Sequence, residues 1–249
     1  MKMNLLAACL CVLVISCLPI IECKRELPPF LKVCHRNDPQ LNQCIKSSLL
    51  DLRPHLANGI PALKVSSLHP LLITRLDIST NDVKLYYTNF TLGPMEQFEI
   101  NDISADFDKC QILLDFSYPK EQVGQGQYHI NGQLLLFHLD SEGWVDVNFT
   151  DVRFNAKINC KKIIKNEQEY ADFQDIDMKV KIGDFHLNMT DLFKDDPELT
   201  RNTVVVFNEN SKSLLEEFEG PVSAAIGQIV LQAVQRVFSS FPLDILVPP

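Results

Sequence analysis

An α+β fold is predicted for this 249-residue chain: a long C-terminal helix wrapped by a highly curved antiparallel β-sheet, with an N-terminal amphipathic helix beside it. Three observations predict it. Apolar residues recur every three or four positions over residues 38–58. They alternate with polar ones from Ile60 to about Phe193, and they return to the helical period after Asn210.

At the N-terminus, Lys2 precedes an apolar run from Leu5 to Ile21, and Glu22-Cys23-Lys24 turns polar. A basic start, an apolar stretch and a small residue before the polar turn mark residues 1–23 as a secretory signal peptide. The competing reading, a membrane span, needs about 20 apolar residues, and no later stretch supplies a second one. Residues 24–249 then make a single secreted domain, since no linker, repeat or low-complexity tract divides them. Of eight cysteines, Cys34, Cys44, Cys110 and Cys160 lie beyond the leader. In an oxidising compartment four cysteines allow three pairings. Locality favours Cys34 with Cys44, which leaves Cys110 and Cys160 to pair with each other or to remain buried thiols. No C-x-x-C and no histidine pair at ligand spacing points to a metal.

The first helix is expected over residues 38–58. Asp38 is its N-cap, Pro39 its first residue, and Leu41, Ile45, Leu49, Leu52 and Leu56 its apolar stripe. Pro54 should bend its last turn and Asn58-Gly59 end it. The alternating region contains Val83-Leu85-Tyr87, Ile112-Leu114-Phe116, Tyr128-Ile130, Val145-Val147-Phe149, Val152-Phe154-Ala156-Ile158 and Ile176-Met178-Val180-Ile182, among others. Such runs predict antiparallel strands with one buried face, joined by short polar turns such as Asp140-Ser141-Glu142-Gly143. Phase shifts between Phe107 and Ile112, and between Phe149 and Val152, predict bulges. The last helix carries Leu214, Phe218, Val222, Ile226, Val230, Val234 and Phe241, with Pro221 near its start. Its other face, with Ser223, Gly227, Gln228 and Gln232, is short on charge. A helix of that kind is wrapped rather than laid on a surface, and Ile226, Val230 and Val234 should face the strands.

A net charge of −9 opposes nucleic acid and anionic membrane surfaces. Hydrolase, kinase and dinucleotide signatures are missing, and nine glycines leave little for phosphate loops. His129 and His138 alternate with apolar residues and read as outward-facing. Asp106-Asp108 and Asp175-Asp177 read as solvated strand pairs, and Asp195-Asp196-Pro197-Glu198 as a helix start or a loop. No catalytic residue, cofactor or metal is therefore expected, and no protein partner is named by any motif. Asn89, Asn148 and Asn188 each begin an Asn-x-Thr sequon, a glycan site in a secreted protein.

Several motifs taken together resemble the insect takeout and haemolymph juvenile-hormone-binding protein family. They are Cys34 through Cys44 with Leu56-Ala57-Asn58-Gly59-Ile60-Pro61 and Leu68-His69-Pro70-Leu71; Asn89-Phe90-Thr91-Leu92-Gly93; Gly126-x-Tyr128-x-Ile130-x-Gly132; and Met189-Thr190-Asp191-Leu192-Phe193 before Phe207-Asn208-Glu209-Asn210. Departures are Phe137-His138-Leu139 and Ser141-Glu142-Gly143, where the family pattern has Leu-Pro and Gly-x-Gly. The resemblance implies a helix wrapped by a curved sheet around a hydrophobic tunnel, and a role in binding terpenoid, juvenile-hormone-like or fatty compounds in haemolymph or another extracellular fluid.

The expected function is thus a secreted, non-enzymatic carrier without membrane insertion. The alternative is a secreted interaction or signalling module whose cavity is filled by its own side chains. Phe107, Phe116, Phe149, Phe154 and Phe218 either line or fill that space. The expected ligand-binding residues are Tyr128, Ile130, Leu134, Leu136, Phe154, Phe218, Ile226, Val230 and Val234. Tyr128 is the orienting polar group in this reading; its hydroxyl bonds either the guest or a nearby carbonyl.

Overall fold

The computed structural model describes residues 26–249, so the expected leader lies outside the described residues. Helix α1 (Leu41–Asp51) and α2 (Arg53–Asn58) lead into nine strands: β1 (Leu71–Asp77), β2 (Val83–Gly93), β3 (Glu99–Asp106), β4 (Gln111–Tyr118), β5 (Gln122–Leu134), β6 (Phe137–Thr150), β7 (Val152–Lys165), β8 (Gln168–Lys181) and β9 (Asp184–Met189). Helices α3 (Pro197–Glu209), α4 (Ser211–Phe238) and α5 (Leu243–Leu246) complete the chain.

The N-terminal helix is broken where one was expected. Pro54 has no N–H, and its ring opposes the carbonyl four residues back, so α1 stops at Asp51 and α2 restarts with the proline in its first turn. Asp38 caps a turn instead of the helix: its carboxylate accepts the Gln40 amide at 2.8 Å, and α1 begins three residues later at Leu41.

The strands form two antiparallel sheets, ordered β1-β2-β5-β6-β9 and β3-β4-β7-β8. The chain passes from one to the other four times, at residues 94–98, at residues 119–121, at Asp151 and at residues 182–183, and these crossings lie along one seam. Two phase shifts expected as bulges are in fact connections. Residues 107–110 turn between β3 and β4, and Asp151, with φ +51°, separates β6 from β7. The register slips elsewhere, after Thr88, Ile100 and Asn159.

Asp140–Gly143, expected as a turn, is paired within β6 against residues 128–131 of β5. Gly143 is there for space: a Cβ would stand 2.4 Å from the Thr190 carbonyl oxygen. The hairpin turns two residues after Leu134, at Leu135 (φ +53°) and Leu136.

Helix α4 runs its 28 residues through Pro221, about 42 Å at 1.5 Å per residue. Ser223, Gly227 and Leu231 are buried and four apart, so part of the face that is short on charge is turned inward. They face β8, where a Cβ on Gly227 would meet the Met178 Cβ at 3.3 Å. Small residues let the helix approach the strand closely, and its polar groups close the strand's open edge. Ser223 Oγ accepts the Val180 amide at 2.9 Å, and Gln235 donates to the Phe173 carbonyl at 2.6 Å. Other edges are closed in the same way. Asn42 of α1 accepts the Ala105 amide of β3 at 2.9 Å, and Asn208 of α3 bonds both the N–H (2.8 Å) and the carbonyl (2.9 Å) of Leu187 in β9. Each such bond pairs an edge group that would otherwise be free to template another strand.

Among the described residues there are two disulfides, Cys34–Cys44 and Cys110–Cys160. Two apolar cores result, one beneath each sheet, with successive stretches of α4 contributing to both.

Candidate functional site

The cores do not close against each other completely. At the seam lies a cavity of about 160 Å³. That is smaller than the roughly 300–1,000 Å³ of most ligand pockets. Phe149, Val222 and Ile226 line the cavity and pack against both cores, so it bridges them.

The alternation of the strands explains the lining. Inward positions of β5 and β6 contribute Ile130, Leu134, Val145 and Val147, and β7 contributes Phe154. Helix α4 contributes Phe218, Val222 and Ile226. Five of the expected ligand-binding residues, Ile130, Leu134, Phe154, Phe218 and Ile226, are therefore brought together on this wall. Of the phenylalanines in question, Phe149, Phe154 and Phe218 line the space, whereas Phe107 is buried in the core of the four-stranded sheet and Phe116 stacks on Phe154 at 4.7 Å.

Four expected site residues are placed elsewhere. Leu136 is 91% exposed, because the β5–β6 hairpin turns at that point and lifts it off the sheet. Val230 and Val234 lie one and two turns beyond Ile226 on α4 and pack into the core of the four-stranded sheet, past the end of the cavity. Tyr128 is fully buried but is not on the wall: its hydroxyl donates to the Thr190 carbonyl at 2.6 Å. Burial pushes its phenol up to about 12.

The polar groups on the wall are few. Tyr87 and Tyr118 keep neutral hydroxyls, since burial pushes both phenols far above their ordinary value. Tyr118 donates to the Met95 carbonyl at 3.0 Å. Gln122, the first residue of β5, is 2% exposed and also lines the cavity. The alternating pattern could have found it, because Gln122 shares its parity with Tyr128 and Ile130; a polar residue ahead of two inward glycines hid the strand's true start.

The titratable candidates lie on the outside. His129 stacks on Tyr86 at 4.6 Å and meets Glu142 at 3.1 Å, and Asp106 accepts the amides of Asp108 (3.1 Å) and Lys109 (2.9 Å) in a turn, which holds its carboxyl below the usual range. Among the described residues, no three His, Cys, Asp or Glu side chains gather as metal ligands, and no helix is long and apolar enough to cross a membrane. The sequon residues Asn89, Asn148 and Asn188 stand on β2, β6 and β9, all in the five-stranded sheet; Asn89 and Asn188 are exposed and Asn148 is half-buried.

Comparison with known proteins agrees with this architecture. The model of the family "Haemolymph juvenile hormone binding protein (JHBP)" matches residues 6–248. The circadian clock-controlled protein daywake of Drosophila melanogaster is 22% identical over 239 residues, covering 90% of this chain and 89% of that protein. A Schistocerca gregaria protein named as a candidate beta-carotene binder is 18% identical over 220 residues, covering 88% of each chain. The crystal structure of Epiphyas postvittana Takeout 1 superposes with a TM-score of 0.75 at 17% identity, covering 88% of this chain and 100% of that one.

Proposed function

The chain belongs to the haemolymph juvenile hormone binding protein family, and on that premise we propose that it is a secreted carrier that holds a small hydrophobic guest, a terpenoid or fatty compound, in the cavity at the seam of its sheets. The observation that carries this reading is the bridging cavity itself, with a wall that is apolar but for Gln122 and two tyrosines. A protein that needed only stability would fill such a space, because each missing contact costs cohesion. A guest gains about 0.8 kcal/mol for each methylene it buries. It must also offset about 4–15 kcal/mol of lost translational and rotational freedom, which favours long, weakly polar molecules.

Such a protein acts by binding rather than by catalysis. The wall offers no nucleophile with a base beside it, only neutral hydroxyls and one amide. The name of the Schistocerca relative, which refers to a carotenoid, fits an isoprenoid guest. Residues 1–23 would direct the chain into the secretory pathway and be absent from the mature protein, and the two disulfides suit the extracellular fluid. An interaction module with a self-filled cavity is less well supported, because the Phe116–Phe154 stack closes only the four-stranded side.

The test is organic extraction of protein purified from its native fluid, followed by mass spectrometry and N-terminal sequencing. A near-stoichiometric apolar compound and a mature N-terminus near residue 24 are expected. Lipid-free protein that also fails to take up an apolar fluorescent dye would refute the carrier.

A further inference from the structure

Gln122 sits where the chain has just crossed from the four-stranded to the five-stranded sheet, and it pairs across β5–β6 with Phe149, another cavity residue. Its side-chain nitrogen donates to the carbonyls of Lys120 (3.1 Å) and Glu121 (3.3 Å). Those two bonds fix the amide: turned over, it would set its oxygen against two carbonyl oxygens. The oxygen Oε1 is therefore not the atom that meets those carbonyls, and Gln122 lines the cavity. That oxygen is buried, and it has no hydrogen-bond partner among the described residues. Of the two tyrosine hydroxyls on the wall, that of Tyr118 already donates to the Met95 carbonyl. A buried acceptor without a donor is unfavourable, and native proteins seldom leave one so.

We propose that the guest supplies the donor: its polar group is a hydroxyl that donates to Gln122 Oε1. This deepens the carrier reading and rests on it. The chemistry selects among guests of one skeleton. An isoprenoid or fatty alcohol satisfies the oxygen; a hydrocarbon, an ether or an ester brings no proton. An ionised carboxylate is doubly unsuited, since it has no donor and the wall carries no Lys, Arg or His to offset its burial.

Farnesol and farnesyl methyl ether share a skeleton and differ in the donor. Each is titrated against N-phenyl-1-naphthylamine bound to the full mature protein, for the parent and for Gln122→Met, which keeps the length and removes the amide. The parent should bind the alcohol about two- to tenfold more tightly than the ether, and the preference should vanish in the variant. Equal affinities in the parent overturn the proposal, as they would if a bound water already satisfied the oxygen. A preference that persists in a folded variant overturns the assignment to Gln122. Should Gln122→Met fail to fold, because Lys120 and Glu121 lose their tether, the side-chain carbonyl resonance of Gln122 in labelled parent protein decides. It should move with farnesol and not with the ether, and an identical response to both refutes the donor. If neither compound nor the dye binds, the carrier reading itself falls, an outcome distinct from equal binding.

Discussion

Tyr128→Phe removes a single oxygen from the core of the five-stranded sheet. The hydroxyl donates to the Thr190 carbonyl at 2.6 Å, and Thr190 is tied to β6 by two further bonds: its amide donates to the Trp144 carbonyl at 2.9 Å, and its hydroxyl accepts the Trp144 amide at 3.0 Å. The substitution keeps the ring, so packing is unchanged and the loss is confined to one hydrogen bond. A bond of this kind contributes about 0.5–1.5 kcal/mol net, and stranding the carbonyl adds to that, so a loss of about 1–2 kcal/mol is expected. For a domain of this size that is a fall in Tm of roughly 2–8 °C. Guest affinity should stay within about twofold, because the hydroxyl points at the scaffold and not into the cavity. Differential scanning calorimetry gives the first quantity and titration with farnesol the second. Gly143→Ala strikes the same knot, since its Cβ would lie 2.4 Å from the Thr190 oxygen and 3.0 Å from the Tyr128 ring, and it should cost more. A Tyr128→Phe protein that melts like the parent but binds farnesol several-fold more weakly would show that the hydroxyl serves the guest, and the placement argued here would be wrong.

Two neighbouring turns of α4 should behave differently. Val230→Ala opens a gap in the core of the four-stranded sheet and should cost about 2 kcal/mol by urea denaturation without altering affinity, whereas Ile226→Ala enlarges the cavity and should change dye affinity more than stability. The same response from both would deny that the cavity ends between them. Burial raises the phenols of Tyr87, Tyr118 and Tyr128 above their ordinary 10.0, that of Tyr128 to about 12. Because the folded values exceed the unfolded one, this contribution to stability is complete below pH 10 and is lost as pH rises from there through about 12. Phenolate absorbance should appear together with unfolding in that window, and three tyrosines ionising freely in folded protein near pH 10 would contradict their burial. Peptide mapping under non-reducing conditions should recover Cys34 with Cys44 and Cys110 with Cys160. Loops of 10 and 50 residues make their loss worth about 3 and 4 kcal/mol. Cys34 linked to Cys110 or Cys160 would refute the pairing.

Much of this architecture was legible in the order of the residues. Period-two alternation marked the strands because a sheet with one buried face imposes it locally, whatever the sheet later packs against. The long helix was visible for the same reason in Leu214, Phe218, Val222 and Ile226. Helix α3 was not distinguished from its surroundings: Asp196-Pro197 was ambiguous between a loop and a helix start, and only in the fold does the Asp196 carboxylate accept the Leu199 amide at 2.8 Å and cap it.

What the sequence determined by itself was most of the large apolar side chains that face inward, since parity along a strand and phase around a helix are properties of the local backbone. Ile130, Leu134, Phe154, Phe218 and Ile226 followed from that alone. The sequence did not determine which inward residues meet empty space and which meet one another. That depends on how two sheets and a helix stack: Ile226 and Val230 share a stripe yet fall on opposite sides of the cavity's end. Long-range contacts also assigned the small and polar residues. Gly143 looked like a turn until Thr190 lay against it, and Ser223 and Gly227, read only as a face short on charge, gained their role when β8 lay against them. Such residues carry little signal of their own, because an absent side chain or a lone hydroxyl is informative only through the neighbour that it admits or satisfies, and tertiary packing alone supplies that neighbour.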